Sequence, residues 1–404
     1  MCEQRERERS CREMYRTRPS SLYRASPGAA TEPPPEGPHS GYLVYQDEEY
    51  EAGATCCWGL CKDPYLISLP FPQNRLLTVE YTVYTGTAVI VYQHQVFFFP
   101  VPGYPLSCNR YYVVRAQGKH AGNVCACSRE EDKRNCCFCS CVKDVKPRPF
   151  DHGDIYQQVE VVPYRGCGTG FYAKAVAPDG FPPEFLRRKG WRIFTSQSGS
   201  LKADLGTASG VDGALRALIL DINFAISSPR SPAVIVGKWY CPFVFLKEDR
   251  PPKEQMKEFV FYEVTLEQFW EAVHTCENTT GKLEGTVKVS AGVRRESALL
   301  RGGEPVSEEL PVADGWEWFR PARAAGVGVG LSTGVVERMR WEQGRRGWEA
   351  GEGAVERVEE YRGGGWGRFG CYVLVERYAV RSMDGSTVLA YDFRHVGKVI
   401  TKWE

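Results

Sequence analysis

The chain has 404 residues, of which 43% are hydrophobic and 12% aromatic, enough to bury the core of one large domain or two ordinary ones. Its 51 lysines and arginines balance 50 aspartates and glutamates for a net charge of +1, which excludes a global electrostatic pull toward nucleic acid or acidic lipid. No window approaches the roughly 18 continuous apolar residues of a membrane helix, and the opening MCEQRERERS alternates charge where a secretory signal needs an apolar core.

In chain order, residues 1–40 combine Arg/Glu alternation with a Pro- and Ser-rich run from Arg24 to His39, and read as a disordered or draped tail. Structure is expected from Gly41, with a short strand Tyr42 to Tyr45. Leu76 to Phe99 is dense in Thr, Val, Tyr and Phe, and Gly86 splits it into two strands. Asn109 to Ala116 and Asp154 to Pro163 continue the β pattern. A short helix should follow Pro182-Pro183-Glu184 and close at Gly190, and Val211 to Leu220 carries an apolar helical face. Ser231 to Glu248 reads as a strand buried on both faces and marks a core.

Leu266 to Glu277 is expected to be the clearest helix: Thr265 and Gln268 have capping-box spacing, and Leu266, Phe269, Trp270 and Val273 form a stripe. Strands are then expected over Gly285 to Arg294, Val335 to Glu342 and Ala354 to Tyr361, with glycine-rich loops between Arg320 and Gly370. Cys371 to Arg381 and Ser386 to Arg394 flank Asp384-Gly385, the signature of a tight hairpin. The fold class is therefore α+β but β-dominated, with mostly antiparallel sheets and a few short helices. A cysteine-rich β lobe over residues 41–185 is expected to meet a second β-rich lobe over residues 186–404.

Three groups of residues could carry chemistry. Cys125, Cys127, Cys139 and Cys141 form two C-x-C pairs able to hold a tetrahedral zinc, the one cofactor considered; the bland alternative is reduced, partly buried thiols. With Cys136 and Cys137 and the surrounding lysines, the same run could also be S-acylated. Gly330-Leu-Ser332-Thr-Gly334 matches a nucleophile elbow, with Asp392 and His395 following in hydrolase order, but Val335 to Glu342 reads as a strand and the acid and base share one terminal hairpin. Glu271 and His274 have di-iron spacing without a partner helix, so a solvated face is the simpler reading. Gly326-Val-Gly328-Val-Gly330 lacks the third glycine of a dinucleotide fingerprint. Trp239-Tyr240 and Trp316-Glu-Trp318-Phe319 read as core rather than as ligand-stacking aromatics.

The stretches PPPEGPHSGYLVYQDEE (Pro33 to Glu49), CCWGLCKD (Cys56 to Asp63), LPFPQNRLLTV (Leu69 to Val79), VGKWYCPFVFLKE (Val236 to Glu248) and VERMRWE (Val336 to Glu342) resemble a plant-specific family catalogued as domain of unknown function 1262. So do Met14 to Arg24, Asp154 to Val161, Phe261 to Val273 and the terminal Cys371 to Glu404. The resemblance implies a higher-plant source and one family-wide unit from about Met14 onward, the first thirteen residues departing from the pattern. It carries over no activity, cofactor or catalytic residue.

With few histidines and no complete catalytic set, the chain is expected to be a non-catalytic binding or protein-interaction protein of the plant cytosol or nucleus, where its 16 cysteines stay reduced. A zinc-stabilised module and a serine hydrolase-like enzyme are the alternatives. No nucleic-acid partner is indicated.

Overall fold

The computed structural model describes residues 13–34, 40–45, 55–56, 61–62, 65–136, 139–166, 168–196, 204–218, 224–279, 281, 283–323 and 328–404. The six-stranded sheet is built by β3 (Leu77–Thr85), β4 (Ala88–Pro100), β5 (Arg110–Arg115), β6 (Gln158–Gly166), β7 (Gly168–Ala175) and β8 (Arg192–Thr195), in the order β7-β6-β5-β4-β3-β8 and antiparallel throughout.

The nine-stranded sheet draws on both ends of the chain. It uses β1 (Met14–Pro19), β2 (Ser40–Tyr45), β9 (Val234–Pro242), β10 (Phe261–Glu277), β12 (Glu296–Leu300), β16 (Arg368–Arg381) and β17 (Thr387–Trp403), in the order β12-β17-β16-β10-β9-β1-β2. Glu304–Pro305 extends it beyond β12, and Gly210–Val211 pairs with β9. Its one parallel pair among the described residues is β1 with β2. β11 (Gly285–Arg294) and β15 (Glu352–Tyr361) form a separate two-stranded ribbon, and β13 (Trp316–Phe319) pairs with β14 (Val329–Ser332) in a small sheet.

The two large sheets share one core, set by the strand period of two. Along β4, Phe97 and Phe99 point into the shared core, and Phe98 points to the opposite face among Phe71, Tyr111 and Trp191. Phe99 meets Phe243 and Phe261 of the larger unit edge-on, at ring separations of 6.2 and 5.6 Å. Fully burying side chains of this size stabilises by about 2–3 kcal/mol each.

Helices are short: α1 (Ser20–Ala25), α2 (Glu184–Arg187), α3 (Gly213–Ala217), α4 (Pro252–Glu258) and α5 (Thr333–Gly344). The β-dominated, mostly antiparallel class follows from the sequence reading, and the hairpin at Asp384-Gly385 forms with Gly385 at φ +88°.

Four expectations are corrected. Leu266 to Glu277 is no helix but the greater part of β10, paired with β16 along its length and, on the other edge, with β9 as far as Gln268 and then with Arg230 at Glu271. Its apolar residues do not share a stripe: Leu266, Phe269 and Trp270 enter three different clusters across the two faces. Pairing on both edges overrides a weak helical preference.

Val335 to Glu342 is helical, within α5, and not a strand. The buried face of α5 carries Arg338, Glu342 and Gln343 beside Val335, Val336 and Met339, so buried charge masks the 3.6-residue hydrophobic period.

Met14 to Pro19 lies in the stretch expected as a tail, yet β1 is inserted between β2 and β9, with Met14 and Tyr15 fully buried. Of Ser231 to Glu248 only Val236 to Leu246 is core, with Ile235 exposed; β9 ends at Pro242 and a 3-10 turn, Phe243–Phe245, breaks the run before Leu246–Lys247.

Candidate functional site

The densest chemistry of the described residues is interior. Glu376 sits mid-strand on β16, beneath α3 and α5. Arg216 from α3 donates Nε to Glu376 Oε1 at 2.9 Å, directs Nη2 at Oε2, and places Nη1 2.6 Å from Glu342 Oε1 on α5. Gln268 of β10 donates to Glu376 Oε1 at 2.8 Å. Arg338 pairs with Glu342 one helical turn away, at 3.4 Å, and Gln343 Oε1 lies 2.8 Å from His395 Nε2 on β17. All of these side chains are buried.

Burial alone would raise the Glu376 carboxyl, but the hydrogen bonds and charge of Arg216, then His395 and Gln268, bring it down to about 2. Burial lowers His395 to about 4, assisted by Lys398, Arg216 and Arg346 and opposed by Glu376. The set is a neutralised ion network around a neutral imidazole.

Ser332, the expected nucleophile, does lie between a strand and a helix, at the end of β14 and the start of α5. It is fully buried, and its Oγ has no hydrogen-bond partner among the described residues. The rest of the triad is not assembled. His395 contacts Gln343, eleven residues along α5 from Ser332, or about 16 Å at the helical rise.

Asp392 pairs across the ladder with Arg377, whereas His395 lies on the face of Leu374 and Glu376, so acid and base point to opposite sides of the sheet. The Asp392 carboxylate is held bidentately by Arg377, at 2.6 and 2.9 Å. Glu271 is likewise committed, to Arg394 at 2.6 Å and Arg230 at 2.7 Å, and the His274 ring packs 6.3 Å from that of Phe369.

Cys125 and Cys127 are buried together in the apolar cluster of Phe71 and Trp191, and burial pushes both thiols up to about 12. Cys139 and Cys141 lie on a strand, Cys139–Val142, whose cysteine side chains fall outside the described residues. Among the described residues no group of three or more His, Cys, Asp and Glu is placed to hold a metal. Gly330 lies in β14 and Gly328 immediately before it, with residues 324–327 outside the described set. Trp239, Tyr240, Trp316 and Phe319 are core.

A second feature faces solvent. Beyond Glu80, β3 has left β8, and before Val96, β4 has not yet reached β5, so the outer half of the hairpin is two-stranded. Tyr81 to Gln93, YTVYTGTAVIVYQ, contains no charged residue. Tyr84 is 77% exposed, Val89 60%, Val91 52% and Tyr92 41%. Paired residues share a face, so Val83, Ile90 and the Tyr81–Tyr92 ring stack at 5.1 Å lie on one side, and Tyr84, Val89 and Val91 on the other.

The base is pinned through Glu80, which accepts from Tyr65 Oη at 2.8 Å, Gln93 Nε2 at 2.9 Å and Arg192 Nη2 at 2.8 Å. Beside it, a groove of about 560 Å³ is lined by Tyr65, Leu69, Pro70, Tyr164, Phe171 and Arg192. The sequence reading found the hairpin but missed its exposure, for which the uncharged run was the available signal. It missed the Arg216–Glu376 network, whose signal is a glutamate inside the apolar CYVLVERYAV.

Residues 36–138 match a family model described as a protein of unknown function, DUF1262. No curated protein matches. Among solved structures, the chain is similar to the crystal structure of Cry35Ab1, at 9% identity, with 82% of this chain and 90% of that chain covered and a TM-score of 0.41.

Proposed function

We propose that this chain is a non-catalytic interaction protein of a higher plant, acting in the cytosol or nucleus, and that it meets a protein partner through the projecting β3–β4 hairpin. The observation that carries the reading is the uncharged run Tyr81 to Gln93, exposed on both faces from Tyr84 to Gln93 and without a further strand along either edge. Soluble chains blunt such edges with lysine, proline or a covering element, and an apolar patch of this kind marks a contact surface. The interior network supports the same reading, since its ions are consumed by one another beneath α3 and α5 and line no part of the groove beside the hairpin. The plant source rests on the resemblance of nearly the whole chain to the plant-specific family.

The test places a photo-crosslinking amino acid at position 84 in plant cells, with position 218, also exposed, as control. A discrete protein adduct from position 84 and none from position 218 is expected. The absence of any adduct specific to position 84 would overturn the reading.

A further inference from the structure

The hairpin turn determines which backbone groups of its outer half are unused. Thr85 and Ala88 close a two-residue Gly86-Thr87 loop with Gly86 at φ +58°, so they are a hydrogen-bonded pair and the pattern alternates from there. On β4, the N–H and C=O groups of Val89, Val91 and Gln93 therefore point away from β3. The same alternation reaches Gln95, whose carbonyl accepts from the Ala116 N–H at 2.9 Å. On β3, the outward groups beyond Glu80 belong to Thr82 and Tyr84.

A bilayer is a poor occupant, because open strand edges find no hydrogen-bond partners in hydrocarbon. A strand satisfies them.

We propose that the open edge of β4 pairs antiparallel with the same edge of a second copy of this chain, with Val91 on the two-fold axis. The inference rests on the hairpin being the contact surface and names its partner. In this register Val91 pairs with the partner's Val91, and Val89 with the partner's Gln93, each pair exchanging backbone hydrogen bonds. Between them Ile90 lies opposite the partner's Tyr92, an aromatic to β-branched pairing that stabilises antiparallel sheets.

No charge in the run opposes its own copy. The two bodies leave from opposite ends of the four-stranded ribbon, each copy's turn reaching the point where β5 joins the other's β4. The pairing covers part of Val89, Ile90, Val91 and Tyr92, whose exposed surface amounts to roughly 350 Å² per copy, which places the dimer among the weak, reversible contacts below the standard interface size.

Sedimentation velocity of the purified full chain from about 1 to about 200 µM tests this, over the range of a weak homodimer. The wild type is expected to pass from monomer to dimer. Val91→Pro removes only an outward N–H and should weaken the dimer by at least about tenfold; Val89→Lys, at an exposed site, should do the same without touching the ladder. Thr82→Pro on the β3 edge should leave dimerisation unchanged. A wild type that stays monomeric overturns the inference, as does a dimer indifferent to Val91→Pro and Val89→Lys or equally lost in Thr82→Pro. A monomeric protein that still crosslinks from position 84 to a different plant protein would overturn this pairing and leave the hairpin's role as a contact surface standing.

Discussion

Arg216 grips Glu376 through two parallel N–H···O contacts, from Nε and Nη2, in the interior between α3 and β16. Both side chains are sealed from solvent, so each charge depends on the other. Arg216→Met leaves Glu376 without its cation and Glu342 with Arg338 alone, and is expected to cost about 3–5 kcal/mol, read by denaturant unfolding. The double change Arg216→Met with Glu376→Leu should recover much of that loss, because the pair then leaves no orphan charge. A single variant as stable as the wild type would contradict the assignment.

Acid should reach this network first at His395. The imidazole titrates near 4 in the fold against an ordinary 6.5, so between those values the unfolded chain binds more protons than the folded one. Stability is therefore complete above about 6.5 and lost as pH falls to about 4, by about 3 kcal/mol at most. Glu376, held at about 2, adds a loss that begins as pH falls through the ordinary carboxyl range and is complete near 2. His395→Gln should flatten the upper part of the curve alone; unfolding free energies measured at pH 7 and pH 4.5 decide it.

Glu13 behaves oppositely. It is fully buried, neither carboxyl oxygen has a hydrogen-bond partner among the described residues, and burial raises its pKa well above the ordinary value. Its contribution is most favourable below the unfolded carboxyl pKa and is lost as pH rises through the folded one. Glu13→Leu is expected to stabilise the protein at neutral pH by about 1–3 kcal/mol and to remove that dependence. A loss of stability in this variant would show that the carboxyl is used.

Cys125 and Cys127, with thiols held up to about 12 by burial, should resist alkylation in the native protein and react only as it unfolds. Cys125→Ala should cost about 1–2 kcal/mol as a core truncation. If these cysteines instead close on zinc with Cys139 and Cys141, a chelator should lower the melting temperature and Cys139→Ser should reproduce the shift.

Much of the β framework was legible because it is written locally. Gly86 and Asp384-Gly385 specify turns, and the β-branched runs beside them can only be strands. The two exchanged elements were not legible for a shared reason. In β10 apolar residues are spread over two buried faces, and in α5 the buried face carries Arg338, Glu342 and Gln343. Each pattern reads as the other element's period until its neighbours are known. The Ser332 motif failed in a different way: its strand and helix formed, but α5 set Ser332 about 16 Å of helical rise from Gln343, the residue His395 contacts, and the sheet turned Asp392 to the far side.

The central claim, that the open edge of β4 is a working contact, is tested most directly by amide hydrogen exchange resolved to single residues in the hairpin. In dilute protein the outward N–H groups of Val89, Val91 and Gln93 should exchange quickly, while Ile90 and Tyr92, bonded to β3, exchange slowly. On raising the concentration into the micromolar range where the pairing forms, or on adding a captured partner, protection should appear at Val89, Val91 and Gln93. Unchanged exchange at those three amides, with an interaction registered elsewhere on the surface, would contradict it.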